Sequence, residues 1–457
     1  MSTLDALLHV FEVDPFTGFM APHPPPTRLP AAWETWEATL DAAIHARIQL
    51  GDKPGLTDEE RATSHAWRLS VVAMPILPIP AELQDPPLAG SLKPLLRRTH
   101  LVLTYLQHFY IHSLPPDDPP RIPRSISVPL LRVSGALKIP PLLTYSDTVL
   151  YNWRVDDDPA PPSSSLSSSY LATTPTPPTP PNPTLIRSQT TFTSTPDEHA
   201  FYLCSAHIEL CGAQALDVMR GILDEIFVGD ALAVHRIARS LAALARIVDE
   251  MRTRLDEVRA GCDPDRYFGD VRPWFNGQDV DRYGRRWVFE GEGEGEGGVE
   301  MEELSGPSAG QSSIVHVLDV FLGVDHESRA VQDGGRSFMC RMKAYMPYQH
   351  RLFIDHLAAY PRPLRAFVAV RAQGEGGEEL KAAYNEAVGA LKRFRDAHMV
   401  IAALYILGPA RRAREKEKEQ EKEKGRGERM AQKGTGGTEL VGFLKETRRR
   451  TMDTVIP

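Results

Sequence analysis

Three residues with ionisable or metal-ligating side chains sit among apolar neighbours. Residues 386–407 read EAVGALKRFRDAHMVIAALYIL. Val388, Leu391, Phe394, Ile401, Ala402 and Tyr405 recur at intervals of three and four, the period of one helix face. His398 falls on that stripe. An imidazole facing a core can be a structural group satisfied by a hydrogen bond, or it can ligate a haem iron. Arg395 lies three residues earlier, close to the same face. A guanidinium in such surroundings needs an anion, either a carboxylate or a cofactor propionate. Asp319 offers one. It interrupts IVHVLDVFLG (314–323), whose Ile314, Val317, Leu318 and Phe321 mark a second amphipathic helix.

Ahead of that helix runs SGPSAGQSS (305–313), with no side chain larger than glutamine. Serine and glycine are ordinary at a helix N-cap, but an uncharged run of small residues also suits backbone that must lie close to something. Most of the fifteen histidines are expected to be structural or exposed. No HExxH, GxGxxG after a strand, GxxxxGK[ST] or GxSxG is present, which removes the motif basis for zinc hydrolysis, dinucleotide or phosphate-loop binding and a serine-hydrolase elbow.

The elements that must hold these residues are helical. Leu95–His112, Phe201–Ile226, Ala231–Val258 and Glu386–Leu407 carry helix periodicity, and Gly408-Pro409 is expected to stop the last of them. Few stretches look like strands, so an all-α fold is expected. With 457 residues, the chain can form two or three domains. We read 1–155 as a small helical domain. Residues 156–197, rich in Pro, Ser and Thr, are expected to be a linker or insertion that buries too little to order itself. Residues 198–457 form a large helical domain with low-complexity inserts at 290–300 and 411–432. A net charge of −8 argues against general nucleic-acid binding, and no apolar run reaches membrane-spanning length. The four cysteines form no CxxC. These features, with no signal-peptide pattern at the start, lead us to expect a cytoplasmic, reduced monomer.

Together these segments resemble the indoleamine 2,3-dioxygenase family of haem enzymes. The likeness runs through SVPLLRVSGALKIPPLLTYSDTVLYNW (127–153), FYLCSAHIE (201–209), SGPSAGQSS with VLDVFLG (317–323), YMPYQHRLF (345–353), FRDAHMVIAALYIL (394–407) and KGTGGTELVGFLK (433–445). It covers most of the chain outside the polar inserts, and the order of several separate motifs makes it specific. The resemblance implies a two-domain helical haem-dioxygenase fold, with haem b mostly in the large domain. His398 matches the proximal iron ligand, and Arg395 and Asp319 match a charged pair on the proximal side. On the substrate side the matching positions are Tyr145, Phe201, Tyr202, Ser205 and, from DRYFGDVR, Tyr267, Phe268 and Arg272. Aromatic rings suit a flat indole, and Arg272 suits an amino-acid carboxylate. Ser205 would lie near the oxygen site. Ser308 and Ala309 would be small to leave room for cofactor and indole, and Ser308 could contact a propionate or the substrate ammonium. KGTGGTE would close over the pocket, with Thr435 bonding to substrate.

Two positions depart from the family pattern. Tyr267 stands where phenylalanine is common, and Pro307 stands where glycine precedes the serine; both bear on affinity rather than on reaction class. The resemblance implies that L-tryptophan and O₂ give N-formyl-L-kynurenine, a step of the kynurenine route to NAD. The competing expectations are an oxygen-binding haem protein of the same fold that leaves tryptophan intact, and a helical scaffold with no cofactor.

Overall fold

Three of the principal helices begin where a capping side chain precedes an apolar stripe. Thr57 and Glu60 form a reciprocal capping box ahead of Asp58–Ala73. Thr195 accepts from the Glu198 N–H ahead of Pro196–Val228, and Asp230 accepts from the Ala233 N–H ahead of Ala231–Asp256. Gly229 and Gly323, both at positive φ, close the helices that precede them. The computed structural model describes residues 10–80, 86–156, 180–291, 298–301, 304–326, 337–422 and 440–457.

The principal helices are α1 (Glu34–His45), α2 (Asp58–Ala73), α3 (Pro86–His112), α4 (Arg124–Leu137), α5 (Pro196–Val228), α6 (Ala231–Asp256), α7 (Ser313–Leu322), α8 (Tyr348–Ala358), α9 (Leu364–Arg371), α10 (Gly377–Ala402), α11 (Gly408–Lys422) and α12 (Leu440–Met452). The protein is mostly helical, as expected. Its described strands have two or three residues each. β1 (Arg121–Ile122) pairs in parallel with β4 (Val288–Phe289), which pairs antiparallel with β5 (Val299–Glu300). β2 (Trp153–Val155) pairs antiparallel with β3 (Ile186–Ser188), Trp153 opposite Ser188. No described helix is long and apolar enough to cross a membrane.

Helix α6 packs along both α5 and α10. Its stripe of Val234, Ile237, Leu241, Leu244, Val248 and Met251 is buried throughout, and each such side chain contributes about 1.5–3 kcal/mol relative to exposure. Toward the N-terminus, α3 packs on α1 and α4. The fully buried Glu37 carboxylate takes both Arg98 Nε (2.9 Å) and Nη2 (2.7 Å), fastening α1 to α3.

Two expectations need correction. Gly408-Pro409 does not stop the histidine-bearing helix. The hydrogen bonding widens into a π turn at Ala403–Leu407, and α11 follows at once. Pro409 falls in the first turn of α11, where a missing N–H breaks no helix bond. The charged run beginning at 411 is therefore helical through Lys422, and its continuation lies outside the described residues. The second concerns the span read as a linker to 197. Its part from 180 onward is built into the structure. Ile186 in β3 is fully buried, and Phe192 stacks on Trp274 at 5.5 Å and on Tyr105 at 4.4 Å. Arg98 Nη1 donates to Thr190 Oγ1 at 3.1 Å, and the Thr190 N–H donates to Asn152 at 2.9 Å. Two apolar anchors and a set of polar contacts hold a segment whose composition alone suggested none.

Candidate functional site

Helix α5 carries Phe201 and Ser205 four residues apart and Glu209 four further on, which sets all three along one face. Phe201 and Ser205 are half-buried, and Glu209 is sealed. Tyr202 lies about 100° round the helix from Phe201. Its hydroxyl accepts from the Tyr105 hydroxyl at 3.1 Å, and it is tied to Glu198 as well. Its polar end thus belongs to the core shared with α3 rather than to the face of Phe201 and Ser205.

Opposite Phe201 stands a π turn, Tyr267–Val271, closed by the Arg272 N–H onto the Tyr267 carbonyl. The Tyr267 ring lies on Phe201 at 4.5 Å and meets Tyr405 edge-on at 5.8 Å. Phe275 stacks on Phe201 at 6.0 Å and lies tilted against Tyr202 at 5.8 Å. Arg272 is half-buried, with its guanidinium 5.8 Å from the Phe268 ring. Phe201, Tyr267, Phe268 and Arg272 are therefore brought together. Phe275 and Tyr405 complete the cluster. Tyr405 is held by its hydroxyl, which donates to the Cys262 carbonyl at 2.7 Å. It joins the π turn after α10 to the turn that carries Tyr267.

The segment bearing Arg272 is fixed from the far side by two buried histidines of α3. His108 Nδ1 donates to the Trp274 carbonyl at 2.7 Å, and its Nε2 accepts from the Leu143 N–H at 3.3 Å. His112 Nε2 donates to the Asn276 carbonyl at 3.0 Å. Burial, with the neighbouring His112, pushes His108 down to about 3; burial pushes His112 down to about 4. Both stay neutral, so each keeps one donor and one lone pair.

The small-residue loop packs against this same segment. A Cβ on Gly306 would sit 1.8 Å from the Phe275 carbonyl oxygen, and one on Gly277 would sit 2.4 Å from the Gly306 nitrogen. Two backbones approach there too closely for any side chain. Ser305 Oγ donates to Asp279 at 2.6 Å. Ser308 Oγ accepts from the Gly310 N–H and caps a 3-10 turn at Ala309–Gln311. Ser308 is half-buried and Ala309 exposed. Ser312, at the N-cap of α7, makes no capping bond. Its hydroxyl instead donates to Glu209 Oε1 at 2.6 Å.

Glu209 is a residue that sequence reasoning passed over. Its Oε1 also accepts from the Tyr145 hydroxyl at 3.0 Å, while Gln311 Oε1 accepts from the Tyr145 N–H at 2.8 Å. Tyr145, α5 and the loop are thus joined around one carboxyl. Burial pushes Glu209 up to about 7, against the two hydroxyl donors that favour its charged form. The available signal was its place two turns beyond Phe201 on one helix face. The partners, more than a hundred residues away for Ser312, carry no local sign of it.

On α10, His398 is half-buried, and its ring nitrogens have no hydrogen-bond partner among the described residues. Burial and the nearby Arg395 push it down to about 4, so the imidazole is neutral and keeps a free lone pair. Arg395 Nη2 donates to Asp319 Oδ1 at 2.5 Å, and Nη1 donates to Thr451 Oγ1. His326 Nε2 meets Asp319 Oδ2 at 2.7 Å. Burial opposes the charge on Asp319, but Arg395 and His326 outweigh it and bring the carboxyl down to about 2. The pair spans α7, α10 and α12. Removing either partner would strand a buried charge, at a cost of about 3–5 kcal/mol. Thr435 lies outside the described residues.

The sequence profile described as indoleamine 2,3-dioxygenase matches residues 7–454. An indoleamine 2,3-dioxygenase of Aspergillus candidus is 30% identical over 462 residues, which cover 99% of this chain and 98% of the relative. The Saccharomyces cerevisiae indoleamine 2,3-dioxygenase is 28% identical, with 98% of this chain and 93% of the relative covered. A 6-hydroxytryptophan 2,3-dioxygenase of Fusarium equiseti is 27% identical over 100% of this chain and 99% of its own length. With a family profile matched along almost its entire length, the chain belongs to the indoleamine 2,3-dioxygenase family.

Proposed function

We propose that this dioxygenase opens the indole ring of L-tryptophan with O₂ to give N-formyl-L-kynurenine, using haem b held by His398. The observation that carries the reading is the cluster of Phe201, Tyr267 and Phe268 beside Arg272. Flat apolar walls next to a fixed guanidinium match an indole that carries an amino-acid carboxylate.

The residues also fit haem, which the family implies. A neutral imidazole with a free lone pair is the form that ligates iron, and His398 has no hydrogen-bond partner among the described residues. Arg395 and Asp319 are paired one turn away, so Asp319 neutralises the guanidinium nearest the ligand and fixes α10 against α7. Bound haem supplies the redox chemistry that activates O₂. The chain's own residues bind and orient. Phe201 and Tyr267 hold the indole, and Arg272 anchors the carboxylate. Tyr145, Glu209 and Gln311 fix the loop bearing Ser308 and Ala309, and His108 and His112 hold the backbone beside Arg272. Fixing both ends of the substrate lowers the entropy cost of reaching the reactive geometry.

The test is a single assay. Haem-loaded, reduced protein receives L-tryptophan in air, and N-formylkynurenine is followed by its absorbance. 6-Hydroxytryptophan, the substrate in the Fusarium relative's name, is run beside it. Product from L-tryptophan at equal or higher kcat/KM supports the reading. A tenfold preference for the hydroxylated substrate replaces the substrate. Absence of product from protein that binds haem and O₂ replaces the function with non-catalytic oxygen binding.

A further inference from the structure

Tyr267 is only 5% exposed, and its hydroxyl has no hydrogen-bond partner among the described residues. Tyr105, Tyr145, Tyr345, Tyr384 and Tyr405 are buried to a similar degree, and each of their hydroxyls is bonded. That is the ordinary state of a buried phenol, because an unmade hydrogen bond is costly. The ring is held by Phe201 on its face and Tyr405 at its edge, which leaves the hydroxyl little freedom to turn toward another protein group.

Position supplies the second observation. The π turn brings residue 272 one wide turn beyond residue 267, with the Arg272 N–H bonded to the Tyr267 carbonyl. Burial pulls the Arg272 guanidinium down and pushes the Tyr267 phenol up, and each group partly offsets the shift in the other. Two donors of different geometry thus belong to one turn, the phenol on Phe201 and the guanidinium 5.8 Å from the Phe268 ring.

We infer that the Tyr267 hydroxyl and the Arg272 guanidinium form a two-donor carboxylate site, which makes this chain select indole amino acids over indole amines. The guanidinium takes the charge of the carboxylate, and the hydroxyl donates to an oxygen the guanidinium leaves available. The inference rests on the reading of Arg272 as the carboxylate anchor.

The experiment compares wild type, Tyr267→Phe and Arg272→Ala as haem-loaded proteins. Dissociation constants are measured for L-tryptophan directly and for tryptamine, which lacks the carboxylate, by competition. Tyr267→Phe removes one oxygen and leaves the ring packing intact. It should weaken L-tryptophan about tenfold, the ordinary yield of one hydrogen bond to a charged group, and leave tryptamine unchanged. An unchanged constant for L-tryptophan overturns the inference. So does equal weakening of both ligands, because the hydroxyl would then touch a part of the substrate common to both. If Arg272→Ala weakens L-tryptophan while Tyr267→Phe does not, the two-donor site falls and the anchor stands. If Arg272→Ala has no effect, the anchor itself falls.

Discussion

Glu209 carries its proton into neutral solution, with a consequence for stability. Burial raises it from the usual 4.5 to about 7. Between those values the folded chain keeps a proton that the unfolded chain has released. Its contribution to stability therefore falls as pH rises through that window, by on the order of 3 kcal/mol in total. Glu209→Gln keeps an acceptor for Tyr145 and Ser312 and has no such proton to lose. Urea midpoints measured from about pH 5 to about pH 7.5 should fall more steeply for wild type than for Glu209→Gln; parallel slopes would count against a buried acid here. His398 makes a second residue-scale prediction. After reconstitution, His398→Ala should show no Soret band, or one unlike that of wild type. A wild-type ferrous spectrum from that variant would remove His398 as the ligand. Residue type and spacing were enough to single out His398, Arg395 and Asp319, because an ionisable group on an apolar stripe is visible in the sequence. Glu209 was not visible in this way: a glutamate in FYLCSAHIE reads as an ordinary helix surface, and its burial depends on a loop more than a hundred residues away.

At the scale of elements, the site depends on two backbones pressed together. Residues 305–306 and 275–277 meet where both carry glycine, and His112 grips the Asn276 carbonyl within that strip while His108 grips the Trp274 carbonyl just before it. Gly306→Ala would place a methyl against the Phe275 carbonyl, which backbone movement alone can relieve. We expect a loss of about 1–3 kcal/mol together with a raised KM for L-tryptophan, because Arg272 leads directly into the displaced strip. Stability and KM both within error of wild type would show that the two segments are not in contact. The smallness of SGPSAGQSS was legible as a close approach, and the family resemblance implied a cofactor and indole as the neighbour. The structure adds the 275–277 backbone as a neighbour at Gly306, and a ring, Phe338, at Gly310. The bodies of four helices were legible because their apolar stripes are local: α6 was placed to within two residues, whereas α3, α5 and α10 begin nine, five and nine residues before the stretches read from the sequence. The π turn after α10 was not legible, since Gly408-Pro409 has the composition of a helix stop and only tertiary packing carries the chain onward.

For the whole molecule, the later part of the Pro/Ser/Thr-rich span, from β3 to Phe192, is part of the core. Deleting 160–178 removes no described contact and should leave thermal midpoint and activity near wild type. Extending the deletion through 192 removes β3, Thr190 and Phe192, and should cost at least about 3 kcal/mol, the usual penalty for losing one large buried ring. Equal midpoints for the two deletions would mean that this segment does not support the fold. Composition could not show this, because two apolar residues suffice to anchor a segment otherwise made of serine, threonine and proline. The three described π turns, Ser146–Leu150, Tyr267–Val271 and Ala403–Leu407, each begin at or next to a residue of the site or lead on from its helix. A π turn is a helix holding one residue beyond its α-helical complement, so it acts as a phase offset along the chain. At Tyr267–Val271 that surplus residue lies between two fixed ends, the Tyr267 carbonyl and the Arg272 N–H that closes on it. Loss of a single codon at Gly269 would let the same N–H reach the same carbonyl at α-helical spacing, so Arg272 would keep its phase relative to Tyr267. This turn is therefore a place where the chain can shorten by one residue without turning the substrate clamp away.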